Sequence, residues 1–365
     1  CEGVTGAKCR IASRFFVAAG KIATIKHMRQ KILILTALIS LIAVPIQSAL
    51  QDSNPPSFSV SVNLVKVPIS VFDLEGNMIT SLRKEDFRIW EDKAAQEIRS
   101  FGLDRNPVSV VLLLDTSTSG KKELKKIKEA AEAFVNALSP TDLISLITFD
   151  DEVNLVLDWT DDQKKVKKTL DKIRPGLRTA LYDAMYRAAH DQLEGVDGRK
   201  AIILLTDCLN NQSSVNFQDA ELAVVQSQAS LYVVSKTEIV KEQARRERRV
   251  VMLNNIYKRL FGEDANYIDE FFEKREAEMT NLAEATGGRC FFPADYDQMK
   301  GVYSEVAREL KSKYFLTYVS NQNLLPNSYH RISIEYLSPA SKIMYRRGYY
   351  HQPRAVLVAP YQNPK

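Results

Sequence analysis

Apolar and polar residues alternate along FSVSVNLVKVPISVFD, residues 58–73, the period of two that lays one face of a strand on a core. The turn signal EGN follows, and then two more short candidate strands, DFRIWED and EIRSF, joined by a charged turn. Residues 58–105 therefore read as a small all-β unit, too small for a core of its own. From Pro107 the texture changes. The runs SVVLLLD, DLISLITFD, VNLVLDW, KAIILLTD and SLYVVSK are separated by helical patterns at 121–138, 161–173, 180–193 and 217–229. Such alternation predicts a mainly parallel, doubly wound sheet with helices on both faces. The link between DLISLITFD and VNLVLDW is too short for a crossover, so that pair is expected as an antiparallel hairpin at one sheet edge.

A helical insertion spans 239–286, with Ile256, Leu260, Phe271 and Phe272 expected to pack inward and its many charges to face water. GGRCFFPAD supplies a last strand and YDQMKGVYSEVARELKSKY a last helix, closing an α/β unit at 107–312. YFLTYVS, HRISIEYL and IMYRRGYY are then three strands with no helix to cover them, within 313–350, before a tail at 351–365. Each β fragment lacks a partner layer, and each is the other's nearest unused one. The expected architecture is an α/β domain inserted into a β-sandwich-like module built from the two flanks.

Composition narrows the classes. The chain has 365 residues, 45% hydrophobic and 26% charged, the profile of a globular protein and not of a disordered one. A net charge of +5 is too slight and too dispersed for a nucleic-acid surface. Met28, Arg29 and Lys31 precede an apolar run from Ile32 to Val44, then Pro45 and small residues, which is the layout of an export signal over 28–49; residues 1–27 carry no structural role in this reading. Cleavage of the leader is expected, and an uncleaved leader would instead anchor the chain in a membrane. The exported chain then has only Cys208 and Cys290, read as two buried thiols, with a single bridge as the alternative.

The chemistry concentrates where strands end. VVLLLDTSTSG, residues 110–120, is a buried-strand pattern that finishes in a cluster of oxygens and runs straight into a helix. Leaving such groups unpaired inside a protein costs roughly 1–3 kcal/mol each, so a ligand for them is implied. In open parallel sheets ligands gather beyond the carboxyl ends of strands. Three stretches lie there: Asp115, Ser117 and Ser119 in DTSTS; Thr179 in RPGLRTALYDAM, at a helix start; and Asp207, ending KAIILLTD.

In order and spacing these residues resemble the von Willebrand factor type A domain, with its metal-ion-dependent adhesion site of D-x-S-x-S, a distant Thr and an Asp at the end of the fourth strand. The resemblance covers about 107–312, and the flanks are similar to those of a bacterial exported group with related domains. It implies that Ser117, Ser119 and Thr179 touch a divalent metal while Asp115 and Asp207 act through coordinated waters; Asp150 lies near the rim but is not assigned as a ligand. Mg²⁺ is implied, with Mn²⁺ or Ca²⁺ as substitutes, since hard ions take oxygen ligands. Neutral hydroxyls leave the ion unquenched, so the implied partner is a protein or peptide offering Asp or Glu, met in the periplasm, at the cell surface or in the medium. Two positions depart from the family pattern. Thr118 and Cys208 each stand where Gly is usual, and Cys208 would be strained if its position requires positive φ.

Competing readings are a helix cap at DTSTS, an inactive scaffold and a Mg²⁺-dependent hydrolase. The aspartic-protease likeness of LLLDTSTSG fails because a long helix follows at once, and no phosphate-binding G-x-x-x-x-G-K loop is present. His27, His190, His330 and His351 show neither zinc-ligand spacing nor a Ser-His-Asp context. The chain reads as a binding module and not as an enzyme.

Overall fold

The computed structural model describes residues 63–352, apart from 118–120, 247, 263–266, 323 and 339–341. The leader at 28–49 and nearly all of the tail lie outside the described residues. Among the described residues no helix is long and apolar enough to cross a membrane.

The α/β body runs β5 (Val108–Asp115), α1 (Lys121–Ala137), β6 (Leu143–Phe149), β7 (Val153–Thr160), α2 (Gln163–Lys172), α3 (Leu181–Arg187), β8 (Arg199–Thr206), α4 (Phe217–Ser227) and β9 (Ser230–Ser235). Helices α5 (Thr237–Arg246), α6 (Arg248–Phe261) and α7 (Tyr267–Ala285), strand β10 (Cys290–Phe291) and α8 (Tyr296–Ser312) complete it. The sheet order is β10-β9-β8-β5-β6-β7, parallel except for β7, which pairs antiparallel with β6 as the short link requires.

All eight residues of β5 are buried because the strand is central and both its faces are covered. Val110, Leu112 and Leu114 point to the layer of α1, α2 and α8, whereas Val111 and Leu113 point to α3, α4 and α7. Three helices start on acidic or amide caps: Asp162 accepts from the backbone of Lys164 and Lys165, Asn216 from Asp219, and Asp295 from Asp297 and Gln298.

The flanks interleave. β1 (Leu64–Phe72), β4 (Ile98–Leu103), β11 (Tyr314–Val319) and β13 (Lys342–Tyr345) form one sheet in the order β13-β1-β11-β4. β2 (Phe87–Glu91), β3 (Ala94–Gln96), β12 (Tyr329–Tyr336) and β14 (Gly348–Tyr350) form the other, β14-β12-β2-β3. Each sheet pairs an amino-flank strand with a carboxyl-flank strand, Leu64 opposite Val319 and Ile89 opposite Ile334. Both contribute to one core of Val67, Ile69, Ile89, Leu316, Tyr318 and Ile332, so neither flank folds its hydrophobic face alone. The α/β domain is thus inserted into a sandwich, as the strand inventory requires.

Two expectations change. The DFRIWED–EIRSF region holds three strands, since Asp92 and Lys93 take φ +48° and +71° and close a two-residue hairpin that adds β3. Of the four insertion residues expected to pack inward only Phe272 does; Ile256 and Leu260 are exposed on α6, whose main contacts are with α5 and α7, and Phe271 is exposed on α7.

Charged groups seal the seam between body and sandwich. The fully buried Lys313 ammonium donates to the Tyr232 hydroxyl and the Gly287 carbonyl, 2.7 Å each, and lies 3.8 Å from Glu309 Oε1. Burial pulls its pKa down to about 8, although Glu309 opposes the shift. Glu309 in turn accepts from Tyr232 at 2.8 Å and from Ser70 of β1 at 3.3 Å.

Candidate metal centre

β5 and β8 carry their loops out at the carboxyl edge of the sheet, side by side, and the predicted residues collect there. Asp115, the last residue of β5, is wholly buried, and its Oδ1 accepts the Ser117 backbone N–H at 2.9 Å and the Ser117 hydroxyl in a short hydrogen bond. Thr179, just before α3, donates from Oγ1 to Ser117 Oγ at 2.8 Å across 62 residues of sequence. Its own N–H is held by Asn211 Oδ1 at 2.9 Å, which ties the Thr179 loop to the one following β8. Asp115, Ser117 and Thr179 thus form a continuous chain of oxygens. Ser119 lies outside the described residues, as does Thr118.

Asp207 follows β8 directly, and its Oδ1 accepts Leu209 N–H at 3.0 Å. Burial first, then the charge of Asp115, pushes its pKa up to about 6. Cys208 takes φ +62°, so the condition for strain is met in a residue with a Cβ. Its N–H donates to Thr206 Oγ1 at 3.0 Å and its thiol is buried 3.6 Å from Ser235 Oγ, which holds the loop although glycine is absent. Cys208 and Cys290 are both free thiols, but only Cys208 is buried; Cys290 is half-buried, which corrects the reading of two buried thiols.

Asp150 supports the site from beneath. Its Oδ2 accepts Thr116 Oγ1 at 2.8 Å, and its backbone carbonyl accepts Ala180 N–H at 2.9 Å. Gly176 packs against it so closely that a Cβ there would sit 2.3 Å from the Asp150 side chain. Gly176 N–H also donates to Thr116 carbonyl at 2.9 Å, so this glycine sets how near the Thr179 loop comes to DTSTS.

Two residues of the site escaped sequence reasoning. Lys236, the first residue after β9, is 1% exposed, with Nζ 3.5 Å from Asp115 Oδ2, 3.6 Å from Glu123 Oε1 and 3.8 Å from Asp207 Oδ2. It also donates to the Ser117 carbonyl at 3.2 Å. Burial works against its charge, but Asp115, Asp207 and Glu123 outweigh that and hold its pKa above the ordinary lysine value. Glu123, in the first turn of α1, looked like one acid in a lysine-rich helix. The available signal for Lys236 was its place at the end of SLYVVSK, on the same edge of the sheet as Asp115 and Asp207.

The residues suit a hard divalent ion. At 3.5 Å the contact from Lys236 is an ion pair too long for a good hydrogen bond, so the buried Asp115 Oδ2 has no hydrogen-bond partner among the described residues. When ionised, Asp115, Asp207 and Glu123 bring three negative charges to one ammonium, which leaves room for two positive charges more. Among the described residues no three His, Cys, Asp or Glu side chains group as a metal cage, and the oxygens that meet between Ser117 and Thr179 are neutral hydroxyls, the kind that hard divalent ions accept.

A Ser-His-Asp arrangement does occur elsewhere, against expectation. Ser328 Oγ lies 2.6 Å from His330 Nε2 and His330 Nδ1 lies 2.8 Å from Asp92 Oδ2. The serine hydroxyl, however, donates to Leu325 carbonyl at 2.6 Å, so its proton is not directed at the histidine. The trio fastens the 325–328 turn to the β2–β3 hairpin.

The family model for the von Willebrand factor type A domain matches residues 110–210. No match was found among curated proteins. Similar solved structures include proximal thread matrix protein 1 from the mussel byssus (12% identity, TM-score 0.41, covering 58% of this chain and 50% of that one). Others are a von Willebrand factor type A protein from Catenulispora acidiphila (11%, 0.41, 80% and 74%) and an aerotolerance-related membrane protein from Bacteroides fragilis (20%, 0.37, 55% and 99%). The chain thus spans about half the length of the mussel protein. With the sheet order, the helices on both faces and the family match across β5 to β8, this chain carries a von Willebrand factor type A domain.

Proposed function

We propose that the protein is an exported, metal-dependent binding module that captures an acidic side chain of a partner protein or peptide at the carboxyl edge of its α/β sheet. The observation that carries this reading is the meeting of Ser117 and Thr179 at 2.8 Å, beside a buried Asp115 oxygen that lacks a hydrogen-bond partner among the described residues. A bound Mg²⁺, or Mn²⁺ or Ca²⁺ in its place, would supply a Lewis-acidic position open to an outside carboxylate. Ser117, Ser119 and Thr179 would hold it through neutral oxygens, which keeps its positive charge available to the partner. Asp115 and Asp207 would balance that charge from behind and orient the hydroxyls, as Asp115 already orients Ser117. Export rests on the leader pattern at 28–49.

The test is calorimetric titration of the full chain with Mg²⁺ and Mn²⁺, followed by capture of partners with and without chelator. Wild type should bind one divalent ion per chain, and Ser117→Ala combined with Thr179→Ala should abolish binding and chelator-sensitive capture together. Capture that is equal in all samples would place recognition on another face. A second reading, a domain whose site is served by its own cation, draws on Lys236 and is decided by the affinities of Lys236 variants.

A further inference from the structure

We infer that Lys236 is a resident cation of the metal site: its ammonium lies on the carboxylates that would balance the divalent ion and opposes that ion electrostatically, so metal loading is made weak and conditional.

The geometry leaves Lys236 little else to do. Its side chain is 1% exposed, so it offers nothing to a partner at the surface, and a buried ammonium is stable only where negative charge surrounds it. That charge comes from three separate elements: Asp115 closing β5, Asp207 following β8, and Glu123 in the first turn of α1. Its main chain is pinned too, since Lys236 N–H donates to Thr206 carbonyl at 2.8 Å, one residue before Asp207. The ammonium also donates to the carbonyl of Ser117, whose hydroxyl accepts from Thr179. The same lysine therefore touches carboxylates on both sides of the site and the backbone of the DTSTS loop. A divalent ion drawn to those oxygens meets a fixed positive charge a few ångströms away. At that range and in a poorly screened interior, like-charge repulsion changes affinity by more than tenfold. Without metal, the lysine keeps buried acids from facing one another unopposed. The site is then preformed but not permanently loaded, and the local ion concentration decides whether it accepts an acidic ligand.

This inference rests on the metal-binding reading of the same residues, and the experiment separates the two. Mn²⁺ affinity of the full chain is measured by calorimetry for wild type, Lys236→Met, Lys236→Gln and the charge-retaining Lys236→Arg. The expected result is weak binding by wild type and Lys236→Arg, and at least tenfold tighter binding by the two neutral variants. Binding by the neutral variants alone also upholds the role of Lys236, while removing the metal-dependent function from the natural protein. Equal affinity in wild type and neutral variants overturns the inference and leaves the metal site standing. No binding by any of the four overturns both. Should both neutral variants fail to fold, wild type labelled at the lysine ε-carbons decides. Mn²⁺ must then broaden the Lys236 resonance selectively, and a Lys236 signal untouched at saturating Mn²⁺ overturns the inference.

Discussion

Asp207 shows how one residue's surroundings set its chemistry. Two neighbours act on it in opposite directions, Asp115 raising its pKa and Lys236 lowering it, while burial raises it most. With the folded pKa near 6 and an unfolded value near 3.8, the native state holds the extra proton between those limits. Stability therefore falls as pH rises from about 4 to 6 in the absence of metal. Denaturation of wild type and Asp207→Asn in chelator, at steps from pH 4 to 7, should show the wild type losing ground to the variant through the same range. A pH-independent difference would contradict the assignment. Cys208, next in sequence, is held in a left-handed conformation that a side chain disfavours by about 1–2 kcal/mol, and its buried thiol packs among the residues beneath α3 and α4.

At the scale of elements, the site depends on loops being brought close and kept there. The loop after β5 and the loop before α3 touch through the backbone bridge between Ser117 and Gly176, and Asp150 fills the space beneath. Replacing Gly176 by alanine puts a methyl group 2.3 Å from the Asp150 side chain, so the Gly176 loop or Asp150 must shift. A destabilisation of about 1–3 kcal/mol is expected from such overpacking, with a matching loss of divalent-ion affinity as Thr179 leaves Ser117. Urea denaturation and metal titration of Gly176→Ala test both effects. Normal stability with normal affinity would mean that this close approach is not what positions the hydroxyls.

For the molecule as a whole, the sandwich and the α/β body are joined by polar groups taken out of water. Besides the Lys313–Glu309–Tyr232 network, Arg346 is buried and donates to Gln228 Oε1 at 2.8 Å and to the Lys66 carbonyl at 3.0 Å, linking β1 to the end of α4. Removing Lys313 takes one of two cations from the buried Glu309, whose other neighbour is Arg289 at 3.6 Å, and leaves the Tyr232 hydroxyl and Gly287 carbonyl without their donor. Lys313→Met is expected to cost about 1–3 kcal/mol, and adding Glu309→Gln should recover part of that loss. Chemical denaturation of the two variants measures it, and additive losses would show that the pair does not act as a unit.

The parallel sheet, its antiparallel edge, the insertion of one domain in another and the order of the oxygen-bearing loops were all legible in the chain. Each follows from local periodicity or from the need of an apolar face to be covered, which are properties of neighbouring residues. Asp115 and Ser117 could be picked out because strand ends are visible in sequence, and Thr179 because it stands at a helix start. What the three-dimensional fold alone decided were the long-range juxtapositions. Lys236 is an ordinary lysine at a strand end until β9 sets it beside β8 and its ammonium reaches the acids of β5, β8 and α1. Ile256 and Leu260 carry a helix's apolar pattern but find no sheet to cover them. Charge and burial are sums over everything within a few ångströms, and a linear sequence does not state which residues those will be.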